Sequence, residues 1–189
     1  MSAAGDGSQV VPSAGSAWQP SLADDRVRVR PLVEEDFESL YAVASDPLIW
    51  EQHPSPTRYQ REVFRNYFEG GMASGGALLV SDAVTGEPIG SSRYYDHDAA
   101  LGQVAIGYTF IARAYWGRGH NRALKALMLG HAFRQVRRVV FHVGASNRRS
   151  RVAMERLGGM LVGEADVAYY GERSNPNVIY AIDRGQWRG

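Results

Sequence analysis

Apolar and polar positions first alternate with period two where Val27 and Val29 are separated by Arg28 and Arg30, which predicts a strand running on toward Leu32. Glu34, Glu35 and Asp36 then place acids in the first turn of a helix reaching about Ala44, and Asp46-Pro47 stops it. A Pro-rich loop, Ile49-Trp50-Glu51-Gln52-His53-Pro54, leads to Thr57, placed to cap a second helix whose Val63, Phe64, Tyr67 and Phe68 recur at helical spacing. Residues 77–81 and 89–95 read as strands around the turn Thr85-Gly86-Glu87-Pro88, and residues 104–111 as the next strand. The helix expected from about Gly119 to Gln135 is apolar on more than one side, which predicts extensive burial. A strand over 139–143, a helix opened by Asn147, and strands over 160–167 and 178–182 complete the pattern, with packing as the default role of His131 and His142. Strands and helices are interspersed, with hairpins at both ends, so the expected class is α/β (α+β), a mixed sheet flanked by helices.

With 189 residues and 44% hydrophobic content, the chain suits one compact core. The expected division is a flexible tail over 1–25 and a single domain over 26–189. No run approaches the roughly 18 consecutive apolar residues of a membrane span. The Ser-, Ala- and Gly-rich start lacks the basic residues and apolar stretch of a signal peptide, so the cytoplasm is the expected compartment. Cysteine is absent, which excludes disulfides, thiolate metal sites and a cysteine acyl-enzyme.

Charge is polarised although the net charge is only +1. Residues 113–156 carry eleven basic side chains and one acidic, Glu155, whereas residues 1–112 hold seven basic and fifteen acidic. A nucleic-acid surface would show interleaved aromatics or zinc spacing, and neither is present. The basic charge converges instead on Tyr115-Trp116-Gly117-Arg118-Gly119-His120-Asn121-Arg122, between an expected strand and an expected helix. Two glycines one residue apart let a turn bring several N–H groups toward one point, and the helix dipole adds its positive end there. A dinucleotide fingerprint needs glycine where Arg122 stands, and a Walker A loop needs Gly-Lys-Ser/Thr, so the cradle belongs to neither. Arg118 and Arg122 border it, and a guanidinium forks onto phosphate oxygens. A small, highly phosphorylated ligand is the expected occupant.

The order strand, Tyr-Trp-Gly-Arg-Gly-His-Asn, helix, strand, then Asn147-Arg148-Arg149-Ser150 opening a helix that ends at Leu157-Gly158-Gly159, resembles the acetyl-CoA-binding core of the GCN5-related N-acetyltransferases (GNAT). Within them it is most similar to the branch that includes bacterial ribosomal-protein N-terminal acetyltransferases, over roughly residues 27–183. The resemblance implies a mostly antiparallel, twisted sheet of about seven strands with about four helices, opened by a splayed-strand cleft. It implies acetyl-CoA as co-substrate, an amine acceptor, no metal and a monomer or homodimer. The backbone of Ile111 and Arg113 would pair with the pantetheine arm, and Trp116, Gly117, Arg118, Gly119, His120, Asn121 and Arg122 would hold the pyrophosphate. Trp116 stands where many relatives carry Gln or Arg, so its side chain is expected to pack while its N–H serves the phosphate. Asn147 would contact the arm besides capping its helix, and Arg151, with Arg148 and Arg149, would reach the 3′-phosphate.

Transfer needs a neutral amine, a stabilised oxyanion and a proton for the thiolate. An alkylammonium of pKa about 10.4 is no nucleophile until deprotonated, whereas a thiolate from a thiol of pKa about 8.5 leaves readily. Backbone N–H groups near Ile111 are expected to hold the oxyanion. Many relatives place a tyrosine acid seven residues after the helix-opening Asn, but Met154 stands there; the serine acid of the ribosomal-protein branch corresponds to Ser150, for which helix capping is the alternative. Relatives often carry an acid just before Ile106-Gly107-Tyr108, where this chain has Ala105. Glu51 is the expected base or amine anchor, with His53, Asp96 and His97 as further candidates. Direct N-acetyl transfer to a protein N-terminus or small amine is the expected function, and a non-catalytic acyl-CoA binder the alternative.

Overall fold

The computed structural model describes residues 17–168 and 173–188. In chain order the elements are β1 (Leu22–Ala23), β2 (Val27–Pro31), α1 (Phe37–Ala44), α2 (Pro47–Trp50), α3 (Arg61–Ser74), β3 (Ala77–Asp82), β4 (Pro88–Asp98), β5 (Gln103–Ile111), α4 (His120–Ala132), β6 (Arg138–Gly144), α5 (Arg148–Arg156), β7 (Met160–Ala168) and β8 (Ser174–Asp183). The strands form one eight-stranded sheet in the order β1-β2-β3-β4-β5-β6-β8-β7. Every described pairing is antiparallel except β5 with β6.

The counts exceed the expected seven strands and four helices for local reasons. Residues 17–25, read from composition as tail, carry the two-residue β1, which pairs with β2, and Trp18, whose ring lies 5.2 Å from that of Tyr94. The rest of the expected tail, residues 1–16, lies outside the described residues. Asp46-Pro47 ends α1 as expected but also begins α2: the Asp46 carboxylate accepts the Leu48 N–H, and proline suits a first helical turn because its missing donor is not needed there. Thr57 is not a helix cap; α3 starts four residues later, after Gln60, and Thr57 instead accepts the Gln60 N–H in a turn.

Hydrophobic clusters cover both faces of the sheet. On one, α1, α2 and α3 bury Phe37, Leu40, Trp50, Phe64 and Phe68 against Leu79 and Phe110. On the other, α4 buries Leu124, Met128 and Leu129 against Val80, Ile106 and Phe141. Helix α4 is extensively buried as expected, with His120, Leu124, Lys125, Met128, Leu129 and Ala132 turned inward because α4 packs on one side of the sheet. His131 packs as expected, its ring 5.9 Å from that of Tyr94 and 6.3 Å from that of Trp18, while its Nε2 also lies 2.7 Å from the Ala17 carbonyl. Among the described residues no helix is long and apolar enough to cross a membrane.

The centre of the sheet depends on close backbone approach. A Cβ at Gly90 on β4 would lie 2.0 Å from the Phe110 carbonyl oxygen on β5, whereas one at Gly130 on α4 would meet nothing within 4 Å. Gly90→Ala is therefore expected to pry β4 from β5 and cost about 3 kcal/mol, lowering Tm by roughly 6–12 °C. Gly130→Ala should leave Tm unchanged or raise it slightly. Thermal melting of both variants checks the contrast.

Candidate functional site

The parallel pairing of β5 with β6 runs from Gln103↔Arg138 through Val104↔Val139 to Ala105↔Val140 and stops there. Beyond it the strands part, and the gap between Ile106–Ile111 and Phe141–Gly144 forms one wall of a cavity of about 780 Å³. A bulge in β5 accompanies the parting. Tyr108 has φ +52°, and the register with β4 jumps from Arg93↔Gly107 to Ser91↔Phe110. Such a bulge bends its strand and frees backbone groups from the ladder. The strained residue is held from several sides: its carbonyl accepts the Tyr67 hydroxyl at 2.6 Å, and the Arg93 guanidinium lies 3.9 Å over its ring.

At one end of the cavity stands the glycine turn. Gly117 (φ +72°) and Gly119 (φ +88°) adopt left-handed conformations, and Gly119 is the N-cap of α4. The first-turn amides of a helix have no intrahelical acceptor, so this end presents donors to an anion. Trp116, Gly117, Gly119, Asn121 and Arg122 line the cavity here. The Trp116 backbone N–H, expected to serve a phosphate, is instead donated to the Arg113 carbonyl at 3.0 Å. Its indole N–H bonds the Ile111 carbonyl at 2.8 Å, and the Arg149 guanidinium stacks 4.2 Å over its ring, so Trp116 braces the turn.

Other residues expected at the cofactor site lie outside the lining. His120 is buried with Nε2 3.1 Å from Asp82 Oδ2, and its Nδ1 has no hydrogen-bond partner among the described residues. The exposed Arg118 offers its carbonyl to Arg26 at 3.0 Å, and Arg113 pairs with Asp46 at 2.5 Å. Neither Arg113, Arg118 nor His120 is among the cavity-lining residues, while Ile111 is.

The far wall comes from the start of α5. Asn147 is its N-cap, with Oδ1 accepting the Ser150 N–H at 3.1 Å, which is the capping geometry open to either reading. Asn147 and Ser150 both line the cavity, and Met154 follows one turn later. Arg151 turns away to the Ala145 carbonyl and Tyr180 hydroxyl. Arg149 donates to the Ile49 carbonyl at 2.9 Å, and its N–H bonds Gln52, tying α5 to the loop after α2.

That loop supplies a further wall. Trp50, Gln52, His53 and Arg58 line it, but Glu51 is exposed and outside the lining, near enough for its charge to act on Arg149. His53 is held well below the usual histidine range by burial and by the neighbouring Arg58 charge. On β6, His142 contacts the Tyr95 hydroxyl at 2.9 Å and is lowered by burial, so it lines the cavity as a polar group and not as packing. Asp96 and His97, at the other end of β4, are absent from the lining.

One lining residue escaped the sequence reading. Lys125 on α4 is 3% exposed, with Nζ 2.5 Å from Thr109 Oγ1 and 3.4 Å from Ser92 Oγ. Burial pushes its pKa down to about 7. The available signal was composition: of 21 Lys and Arg residues in the chain, Lys125 alone is lysine. Its folded pKa lies below the unfolded value of about 10.4, so the unfolded chain binds the extra proton and stability should rise with pH between about 7 and 10. Lys125→Met should stabilise the fold at pH 7, by up to about 4 kcal/mol, and remove that rise. Denaturant unfolding across this pH range reads both effects.

The sequence model of a family described as acetyltransferase (GNAT) domain matches residues 26–160. Among solved structures, a GCN5-related N-acetyltransferase from Brucella melitensis superposes with TM-score 0.74 at 20% identity, over 89% of this chain and 80% of that one. RimJ of Mycobacterium smegmatis, in complex with CoA-disulfide, gives 0.71 at 19% identity over 92% and 91% of the chains. Spermidine N-acetyltransferase from Vibrio cholerae, in complex with CoA and spermine, gives 0.65 at 16% over 86% and 98%. No curated protein sequence matches the chain.

Proposed function

Because the chain belongs to the GNAT acetyltransferase family, we propose that it transfers the acetyl group of acetyl-CoA directly to the free N-terminal amine of a peptide or protein. The observation that carries this reading is the continuity of the cavity from the glycine turn, through the β5–β6 gap, to the loop after α2. Such a path takes a long ligand from its phosphate end to its thioester end and leaves the loop for the acceptor. Gly117 and Gly119, with the first amides of α4 and Arg122, hold the pyrophosphate; the edge of β5 that β6 leaves uncovered, up to Ile111, takes the pantetheine arm as an added strand. The complexes of RimJ with CoA-disulfide and of the spermidine enzyme with CoA support a CoA site in this fold.

The acceptor follows from charge. Among the described residues lining the cavity none is Asp or Glu, whereas Arg58, Arg122 and Arg149 are present. A polyamine with several positive charges is poorly matched to that lining; a peptide amine carries one, and its pKa of about 7.7–8.0 leaves part of it neutral near pH 7. Glu51, at the rim, draws the ammonium toward the mouth. N–H groups of the β5 bulge stabilise the oxyanion, and the Ser150 hydroxyl gives the departing sulfur its proton, in line with the ribosomal-protein branch of the family.

Thiol release from acetyl-CoA across peptides with free N-termini, the same peptides blocked, and spermidine tests the reading. Release is expected with free peptides alone. Release with spermidine alone would move the acceptor to polyamines, and tight acetyl-CoA binding with no release from any amine would favour a non-catalytic acyl-CoA binder. In the same assay Gly119→Val should weaken acetyl-CoA binding at least tenfold by calorimetry, since a β-branched residue resists φ +88°. Ser150→Ala should lower kcat by tenfold or more with acetyl-CoA affinity nearly unchanged; equal losses in both would make Ser150 a binding residue.

A further inference from the structure

We propose that Lys125 is the general base of the transfer, the amine that takes the proton from the attacking nitrogen inside the cleft; this rests on the acetyl-transfer reading above. Three independent observations meet at this residue. It is the chain's single lysine, in a sequence whose other basic residues among Lys and Arg are all arginine. It is buried, yet it lines the same cavity as Tyr108 and Thr109 of the β5 bulge and as Asn147 and Ser150. Its Nζ is held by two hydroxyls, Thr109 Oγ1 at 2.5 Å and Ser92 Oγ at 3.4 Å, and those hydroxyls are 2.8 Å from each other.

The surroundings favour the neutral amine. The elements packed around Nζ contribute Ser92 from β4, Thr109 from β5 and the Phe141 ring from β6, at 5.9 Å, and no carboxylate. The other titratable groups that these elements and α4 itself present to the cavity are Tyr108, His142 and Arg122. Burial without a counter-charge disfavours the ammonium, and the pKa falls to about 7. A base works best when its pKa is near the working pH. Arginine, protonated throughout, could not serve there. The rival candidates are weaker: Ala105 replaces the acid of many relatives, Glu51 is exposed outside the lining, and His53 and His142 are both depressed by burial.

The step balances as follows. The amine nitrogen forms a bond to the thioester carbonyl carbon, which makes its own proton far more acidic, and that proton passes to Lys125 Nζ. The carbon–sulfur bond breaks, and the sulfur takes its proton from the Ser150 hydroxyl. As products leave, the Lys125 ammonium returns a proton to Ser150 through water, and both side chains regain their starting state.

Two substitutions separate a base from a structural or purely electrostatic residue. Lys125→Met keeps most of the apolar stem, and Lys125→Arg keeps the positive charge but accepts no proton. In single-turnover assays with the best free peptide, both are expected to be slower by on the order of 10²-fold or more. Both should lose the rise in rate with pH near 7, while acetyl-CoA affinity stays within about twofold. Arginine restoring the wild-type rate and profile would overturn the proposal, as would an unchanged rate in the Met variant.

Because lysine occurs once, protein grown with 13C-labelled lysine gives one titrating side-chain signal whether or not an acceptor is at hand. A midpoint near neutrality supports the base, and one above about 9.5 overturns it. A wild-type enzyme that binds acetyl-CoA but acetylates no amine would sink the parent reading, and the signal's midpoint would still decide the state of Lys125.

Discussion

Everything at the site depends on two parallel strands that stop pairing. β5 and β6 share three residue pairs and then separate, leaving the rest of β5 with backbone groups that no neighbouring strand satisfies on that side. Buried backbone groups need partners, and side chains supply some of them here: the Tyr67 hydroxyl donates to the Tyr108 carbonyl and the Trp116 indole N–H to the Ile111 carbonyl. The parting is built in from both flanks. The bulge at Tyr108 bends β5, and the Tyr67 hydroxyl and Arg93 guanidinium hold that strained residue in place from the α3 side. Opposite, α5 follows β6 after a short turn, and Arg149 ties its start to the loop after α2. The glycine turn, the cleft and the loop after α2 thereby become parts of one cavity.

The same construction sets the electrostatics. Arginine does nearly all the cationic work of the chain, either paired with carboxylates, as in Arg30–Asp36 and Arg138–Asp183, or stacked on rings, as with Arg93 and Arg149. Those side chains remain charged in any surroundings the protein offers. Among the Lys and Arg side chains Lys125 alone has a charge that burial can remove, and it sits between α4 and the bulged strand. Its two hydroxyl partners satisfy the nitrogen without fixing its protonation state. A carboxylate in their place would have locked the ammonium.

Much of this was legible in the chain itself. The alternation at Val27 and Val29, the period of α3, the Gly117 and Gly119 turn and the Asn147 helix start all rest on local rules: φ, side-chain direction and capping act over a few residues. The α4 pattern gave the extent of burial but not its direction, because an apolar composition does not say which side of a helix meets a neighbour. Thr57 misled, since a capping residue is chosen only when the chain beyond it turns helical at once.

The sequence by itself determined the order of the main elements, the glycine turn and the family, because these are carried by residues adjacent along the chain. Only the tertiary structure decided which side chains share the cavity. Arg113, His120 and Arg151 are neighbours in sequence of lining residues, yet the side chain of each is drawn to a partner elsewhere. Lys125, unremarked in any motif, is brought to the cleft by the packing of α4 on β4 and β5. Its proton affinity comes from desolvation, which is set by everything packed around it and by no residue next to it in the chain.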